Sequence, residues 1–270
     1  MRRLLIALLL TIASTAAHAA PKAALWAKWQ THDPASEMTV DHSAWDEFLK
    51  RYVIADPNGL NRFDYGAVNA AAKSALDSYI GSLAATQVSK LNRPEQQAYW
   101  INLYNALTVQ VVLDHYPVET IRDIDISPGL FSDGPWGKKL VTIEAEPVSL
   151  DDIEHRILRP IWRDPRIHYA VNCASVGCPD LLVRAYRTDD MDQTLTANAV
   201  AYINSARGVA LKGGEVSVSS IYDWFEADFG GNEAGVLKHL RQYAEGSLRA
   251  ALQNATDIDG YMYDWSLNGK

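Results

Sequence analysis

The sequence predicts an α+β fold, a helix-rich single domain with a central apolar helix, a small sheet and short hairpins. The segment 95–115 is apolar on nearly every face, which is typical of a helix surrounded by other elements. Short alternating segments within 138–148 and 209–218 each predict a hairpin. Helical patterns dominate the rest of the chain, so we expect few strands.

In chain order, apolar residues at helical spacing predict most of the elements. The predicted helices cover residues 43–53, 67–83, 95–115, 149–159, 189–203, 221–225 and 233–244. Ser149 and Asp152 have the spacing of a capping box, and Pro160 predicts the end of the helix that they open. The alternating residues 167–173 predict a strand, and 261–265 predict an edge strand.

The first residues have the pattern of a secretory signal peptide. Two arginines precede an apolar run, and Ala17-His18-Ala19 offers the small residues that a signal peptidase reads. We therefore expect a signal peptide at 1–19, an N-terminal arm at 20–42 and a single globular domain at 43–270. This organisation predicts a periplasmic or secreted protein. No later segment is long and apolar enough to predict a membrane span.

The charge balance argues against nucleic acid as a partner. The chain has 25 Lys and Arg residues against 33 Asp and Glu residues, a net charge of -8, and no basic cluster. The common motifs of dinucleotide, nucleotide, zincin and α/β-hydrolase sites are absent from the sequence. We therefore expect no cofactor and no metal. A small-molecule or peptide-like ligand is expected, and the oligomeric state is left open.

The two cysteines, Cys173 and Cys178, are the first candidate site residues. In an oxidising compartment two nearby thiols indicate a disulfide. A second interpretation is a nucleophilic thiolate, at either cysteine, activated by His168 as a base. A weaker hypothesis is a zinc site built from His155, His168 and the two thiolates.

Two further pairs of polar residues fall within predicted helices. Glu154 or His155 is predicted to orient His168, with Glu154 as the catalytic choice and His155 as a binding residue, although both also suit a solvated charged face. Asn102 and Asn105 lie three residues apart in the apolar helix, so their amides need hydrogen-bond partners. They either clamp a neighbouring loop or line a pocket as oxyanion or substrate ligands.

Four of these segments, in order, resemble a known family. Residues 95–107, 149–159 and 168–179 resemble the three blocks of the family named domain of unknown function 547, and 221–229 resembles its C-terminal block. The resemblance covers about residues 90–230. It implies that these motifs form one site, and it implies no particular reaction.

These observations support two hypotheses about function. The first is a thiol-dependent hydrolase or acyl-transferase on amide or peptide-like substrates, with Cys173 or Cys178 as nucleophile, His168 as base and Glu154 as its orienter. The second is a non-catalytic periplasmic binding or scaffolding domain, in which the cysteines form a structural disulfide. The redox state and the reactivity of the two cysteines distinguish these hypotheses.

Overall fold

The computed structural model describes residues 21–56, 59–129 and 133–270, so the predicted signal peptide lies outside the described residues. The fold is the predicted helix-rich α+β arrangement. The helices are α1 Ser43–Tyr52, α2 Ala70–Ala84, α3 Arg93–His115, α4 Arg159–Trp162, α5 Met191–Ile203, α6 Ile221–Trp224, α7 Glu233–Tyr243 and α8 Gly246–Asn254. In these three ranges, no helix has the length and apolar character that crossing a membrane requires.

The strands form small sheets, as predicted. They are β1 Val53–Ile54, β2 Arg62–Phe63, β3 Val141–Ile143, β4 Glu146–Val148, β5 Val209–Lys212, β6 Glu215–Ser219 and β7 Gly260–Met262. Within the described residues β1 pairs with β2 and β3 with β4, both antiparallel, and β5-β6-β7 form a three-stranded sheet. The β5–β6 hairpin turns at Gly213 and Gly214, whose φ angles are 63° and 94°. Strand β7 adds to β6 in parallel, which confirms the predicted edge strand.

Helix α3 is the centre of the larger apolar cluster. The side chain of Asn92 accepts a hydrogen bond from the N–H of Glu95 at 2.9 Å and caps the helix. Nearly every residue from Glu95 to Val112 is buried, as the all-round apolar pattern predicts. A smaller apolar cluster packs around α5, β5, β6 and α7. The segment that carries the site passes between them, because Tyr169 packs in the smaller cluster and Ala170 in the larger.

The predicted end of the helix at Pro160 is wrong. Residues Asp152–Leu158 form a π-helix that continues directly into α4, which contains Pro160. A proline has no N–H group, so the carbonyl one helical turn before it loses its usual hydrogen bond. The N-terminal arm supplies donors instead: the N–H of Ala24 bonds to His155 O and that of Trp26 to Arg156 O, both at 2.9 Å.

The capping box at the start of this helix is confirmed. The N–H of Asp152 donates to Ser149 Oγ at 3.2 Å, and the N–H of Ser149 donates to Asp152 Oδ2 at 3.0 Å. The arm is also held further along the helix, where Arg159 Nη1 donates to Pro21 O at 2.7 Å. The arm therefore supports the helix that carries Glu154, His155 and Arg159.

The predicted strand at 167–173 is also wrong. Pro165–Tyr169 is a 3₁₀ helix, and a loop follows it. Alternating residue types predict a strand with one buried and one solvent-facing side. Here Ile167, His168 and Tyr169 are all buried, so this segment has no solvent-facing side. The backbone after the 3₁₀ helix bonds to side chains of α3 rather than to a neighbouring strand.

Candidate functional site

The two cysteines lie side by side in the loop after the 3₁₀ helix. The Sγ atoms of Cys173 and Cys178 are 2.8 Å apart, and the N–H of Cys173 donates to Cys178 Sγ at 2.9 Å. Both are free thiols, so the structure contains no disulfide between them. Cys173 is half-buried and Cys178 is buried, so an attacking reagent reaches Cys173 first.

The loop that brings the sulfur atoms together has a constrained backbone. Ala174 has a φ of 58°, a left-handed conformation that costs a residue with a side chain about 1–2 kcal/mol. The side chain of Asn172 holds the turn, because its Oδ1 accepts from the N–H of Ala174 at 2.9 Å and its Nδ2 donates to Pro179 O at 2.7 Å. Strained backbone at a reactive side chain is a common feature of functional sites.

Asn102 and Asn105 each clamp the backbone of a neighbouring segment. Asn105 Nδ2 donates to Ala170 O at 2.9 Å, and Asn105 Oδ1 accepts from the N–H of Asn172 at 2.8 Å. Asn102 Nδ2 likewise donates to Tyr186 O, and Asn102 Oδ1 accepts from the N–H of Tyr186, both at 2.9 Å. Of the two interpretations from the sequence, these contacts match the loop clamp. Through Asn105, the central helix positions the cysteine loop.

Two hydroxyl groups surround the thiol of Cys173. Its Sγ lies 3.2 Å from Ser175 Oγ and 3.0 Å from Tyr263 Oη, and these two oxygens are 2.9 Å apart. Burial raises the pKa of Cys173, but its hydrogen bonds with Cys178, Ser175 and Tyr263 outweigh burial and leave this pKa below its usual value. Burial and the neighbouring Cys173 raise the pKa of Cys178 well above its usual value. The two thiols therefore differ in pKa, with that of Cys173 lowered and that of Cys178 raised from the usual value.

The C-terminal segment carries Tyr263 to the thiols. Its backbone pairs with the cysteine loop, where the N–H of Val176 donates to Ser266 O and that of Gly177 to Asp264 O, both at 2.8 Å. Sequence reasoning did not select Tyr263, which is distant from Cys173 along the chain. The predicted edge strand placed this segment on a sheet but gave no sign that it also covers the cysteines.

The close approach at Gly177 gives a testable prediction. An alanine Cβ at this position would lie 2.8 Å from the backbone nitrogen of Asp264 and 3.0 Å from a ring carbon of Tyr263. The C-terminal segment must therefore move, and we expect Gly177→Ala to cost about 1–3 kcal/mol of folding free energy. The pKa of Cys173 should rise because Tyr263 no longer donates to it. Chemical denaturation and the pH dependence of iodoacetamide alkylation measure the two effects.

A second glycine serves as the matched control for this substitution. Gly81 lies inside α2, and a Cβ there would meet no atom within 4 Å. Gly81→Ala should stabilise the protein by about 0.5–1 kcal/mol and leave the alkylation profile unchanged. Equal behaviour of the two variants would contradict the proposed role of the C-terminal segment.

A cluster of charged side chains surrounds His168. His168 Nε2 lies 2.7 Å from Asp228 Oδ2, and Nδ1 lies 3.6 Å from Glu154 Oε1. Arg159 Nε donates to the same oxygen of Asp228 at 2.5 Å. The ring of Phe225 stacks on the imidazole with centroids 4.2 Å apart. Both nitrogens of His168 therefore face carboxylates.

The electrostatics of this cluster keep its members charged. Burial opposes the charged imidazolium, but Asp228 and Glu154 outweigh burial and raise the pKa of His168. Burial likewise opposes ionisation of Glu154, but His155, His168 and Arg159 lower its pKa to about 2. The pKa of Asp228 also falls to about 2, because His168 and Arg159 outweigh its burial. The result is a buried network of two cations and two carboxylates.

His155 differs from His168, because burial lowers its pKa to about 4 and leaves it neutral. Its Nδ1 lies 3.0 Å from Arg159 Nη1, and its Nε2 lies 3.6 Å from Asp151 Oδ1. Since the guanidinium can only donate, Nδ1 of His155 is the acceptor. Sequence reasoning missed Arg159, although it lies one helical turn after His155 in the same motif.

The structure thus brings the predicted site residues together in two groups. Cys173 and Cys178 form one group, and Glu154, His155 and His168 form the other. Across the described ranges, no hydrogen bond or ion pair joins the two groups. The weaker zinc hypothesis gains no support, because the described part of the chain holds no group of three or more His, Cys, Asp or Glu arranged for a metal.

Two aromatic residues after β6 connect the groups. Phe225 covers His168, while the preceding Trp224 packs against Tyr263 at 4.8 Å between centroids. On the interior side, Tyr104 of α3 donates to Glu154 Oε2 at 3.2 Å. Sequence reasoning missed Tyr104, which precedes the selected Asn105.

One family model matches the central part of the chain. Residues 88–203 match the model of a family described as "Protein of unknown function, DUF547". This part of the chain is similar to that family. The DUF547 range includes α3, the π-helix, His168 and both cysteines, whereas Asp228 and Tyr263 lie beyond its end. No curated protein and no solved structure matches the chain.

Proposed function

We propose that this protein carries out thiol–disulfide exchange, with Cys173 as the attacking thiolate and Cys178 as the resolving thiol. The carrying observation is the contact between a half-buried and a buried free thiol, whose sulfur atoms are 2.8 Å apart. Exchange requires an accessible thiolate and a second thiol that can reach it without a large movement. The cysteine loop meets both requirements.

The reaction has two steps that balance in atoms and electrons. The Cys173 thiolate first attacks one sulfur of a substrate disulfide, and the other substrate sulfur leaves as a thiolate that takes up a proton. Cys178 then loses its proton and attacks Cys173 Sγ, which releases the remaining substrate thiolate and forms a disulfide within the protein. The substrate gains two electrons and the protein dithiol loses them. An external dithiol restores the reduced protein by the same exchange.

The groups around Cys173 suit this chemistry. The hydroxyls of Tyr263 and Ser175 lie within hydrogen-bonding distance of its sulfur, so they stabilise the thiolate before attack. These contacts hold the pKa of Cys173 below its usual value, while burial holds that of Cys178 well above its own. The difference supports a fixed order in which Cys173 reacts first.

Hydrolase or acyl-transferase chemistry has less support from the same loop. An acyl intermediate needs donors for its oxyanion. The N–H groups of Cys173 and Ala174 already donate to Cys178 Sγ and Asn172 Oδ1, and those of Val176 and Gly177 donate to carbonyls of the C-terminal segment. His168 faces two carboxylates rather than a thiol. The hydrolase hypothesis therefore stays a prediction from the sequence.

The compartment belongs to the proposal as well. The signal-peptide pattern of residues 1–19 supports an exported, oxidising compartment for this protein. Substrate disulfides are common there. In the alternative, Cys173 and Cys178 form a structural disulfide that does not exchange with other thiols or disulfides.

The test uses the reduced protein and 5,5′-dithiobis(2-nitrobenzoate) as the disulfide. At about pH 6 we expect the protein to release thionitrobenzoate from the reagent at least about 10-fold faster than free cysteine does. The thiol of free cysteine is mostly protonated at this pH. Mass spectrometry should then find the protein lighter by two hydrogens, with no attached aryl group. Reaction only after denaturation, or aryl groups that remain on both cysteines, would contradict the proposal.

A further inference from the structure

Four half-buried aromatic residues form a continuous surface beside Cys173. We call Trp136, Trp224, Tyr263 and Trp265 the aromatic face. Ring centroids are 4.8 Å apart for Trp224 and Tyr263, 4.6 Å for Tyr263 and Trp265, and 5.8 Å for Trp136 and Trp265. The hydroxyl of Tyr263 contacts Cys173 Sγ at 3.0 Å, so the face adjoins the thiol. Of these four residues, the proposed exchange reaction uses Tyr263 alone.

Acidic residues flank three of the four aromatic residues along the chain. Three of its residues come from segments 221–226 and 260–266, which together contain Asp223, Glu226 and Asp264 and no Lys or Arg. Asp223 and Asp264 are exposed and Glu226 is half-buried. Asp223 and Glu226 lie close enough to β7 to help raise the pKa of Tyr261. Within the described residues, none of the three carboxylates forms an ion pair.

One contact within the chain illustrates what such a surface binds. The guanidinium carbon of Arg122 lies 5.3 Å from the ring centroid of Trp265, and its Nε donates to Asp133 at 2.6 Å. A cation on a tryptophan ring with a carboxylate beside it is a favourable arrangement. Among the described residues, no cation of the chain lies over Trp224 or Tyr263, so the chain itself supplies no such partner to these two half-buried rings.

We propose that the aromatic face binds a basic polypeptide segment and presents its disulfide to Cys173. The inference rests on the proposed exchange reaction and names its substrate class. Arginine or lysine side chains of the segment would lie on the aromatic rings and pair with Asp223, Glu226 and Asp264. The segment's cystine sulfur would then meet the thiolate beside Tyr263.

The test compares three pentapeptides, each with a central cysteine joined to thionitrobenzoate as a mixed disulfide. The residues that flank the cysteine are all arginine in the first peptide, all serine in the second and all glutamate in the third. The mixed disulfide of mercaptoethanol with thionitrobenzoate is the reference without a peptide. The aryl thiolate is the better leaving group, so Cys173 bonds to the peptide sulfur and colour is released. We expect the arginine peptide to react about 10-fold faster than the glutamate peptide at low salt, with the ratio falling as salt is added.

Two triple variants separate local from overall charge. Asp223→Asn with Glu226→Gln and Asp264→Asn should bring the arginine-to-glutamate ratio close to one when each rate is divided by that of the mercaptoethanol reference for the same variant. Glu37→Gln with Glu47→Gln and Asp189→Asn removes the same charge at exposed positions on other elements, and it should keep the ratio. Trp224→Leu should slow all three peptides relative to the reference, because the stacking surface is reduced.

The outcomes also separate this inference from the proposed function. Equal rates for the three peptides, with a fast reference reaction, would overturn the basic-substrate inference and leave the exchange reaction in place. A faster glutamate or serine peptide would overturn it as well. Slow reaction with every disulfide, including the reference, would instead contradict the exchange reaction.

Discussion

Cys173→Ser should reduce release of thionitrobenzoate to the rate of protein-free buffer, whereas Cys178→Ser should trap a stable mixed disulfide on Cys173. A serine hydroxyl does not ionise near neutral pH, so the first variant has no attacking group at the half-buried position. The second variant keeps the attacking thiolate but lacks the buried thiol whose sulfur lies 2.8 Å away. The readouts are the release rate and the mass of the adduct.

The two variants form a matched pair, since each removes one sulfur from the same contact. Cys178→Ser should react with a rate similar to that of the unaltered protein, because Tyr263 and Ser175 still surround Cys173 Sγ and the serine hydroxyl can replace the hydrogen bond of Cys178. A Cys173→Ser variant that still forms an adduct rapidly would assign the attack to Cys178. Loss of reaction in both variants with the fold intact would contradict a fixed order of attack.

Sequence reasoning succeeded where one local pattern decides the structure. Helix α3 is apolar on every side, and no other element suits that pattern as well as a buried helix does. The hairpin at Gly213 and Gly214 is similar, because both residues need the positive φ that glycine adopts easily. Both elements were predicted correctly within a few residues.

Sequence reasoning failed where a distant segment changes what a local pattern means. Pro160 usually ends a helix, but Ala24 and Trp26 from the N-terminal arm satisfy the carbonyls that it leaves free. Similarly, the residues around His168 alternate, yet they are buried on all sides by elements from elsewhere in the chain. Neither effect can be inferred from the segment itself.

The candidate site was predictable in part. The motif residues Glu154, His155, His168, Cys173 and Cys178 were selected from the sequence, and the structure assembles them in two groups. Asp228 and Tyr263 complete these groups from distant positions. Asp228 lies in the C-terminal block that the family resemblance had indicated, whereas no pattern in the sequence linked Tyr263 to the thiols.

In the charged network around His168, Glu154→Ala should cost about 3–5 kcal/mol of folding free energy. The Glu154 side chain is buried, accepts from Tyr104 Oη at 3.2 Å and faces His168 Nδ1 at 3.6 Å. Its removal leaves a buried hydroxyl without this acceptor and leaves His168 and Arg159 with Asp228 as their remaining carboxylate. Urea denaturation with a two-state analysis measures the loss.

Glu146→Ala is the control, since Glu146 forms a partly exposed ion pair with Lys28 at 3.2 Å. Such a pair contributes at most about 1 kcal/mol, so this variant should change stability little. Glu154→Gln should fall between the two alanine variants, because it keeps an acceptor for Tyr104 and loses the charge. Equal losses from Glu154→Ala and Glu146→Ala would show that the network does not stabilise the fold.

The pH dependence of this loss follows from the direction of each pKa change. The pKa of His168 is raised above its usual 6.5, so its contribution is fully present below pH 6.5 and is lost as pH rises through the folded-state pKa. The pKa of Glu154 falls from 4.5 to about 2, so its contribution is present above pH 4.5 and is lost as pH falls toward 2. The stability difference between the unaltered protein and Glu154→Ala should therefore be largest between pH 4.5 and 6.5. A difference that stays constant from acid to alkaline pH would mean that the buried carboxylate stabilises the fold by packing alone, without its charge.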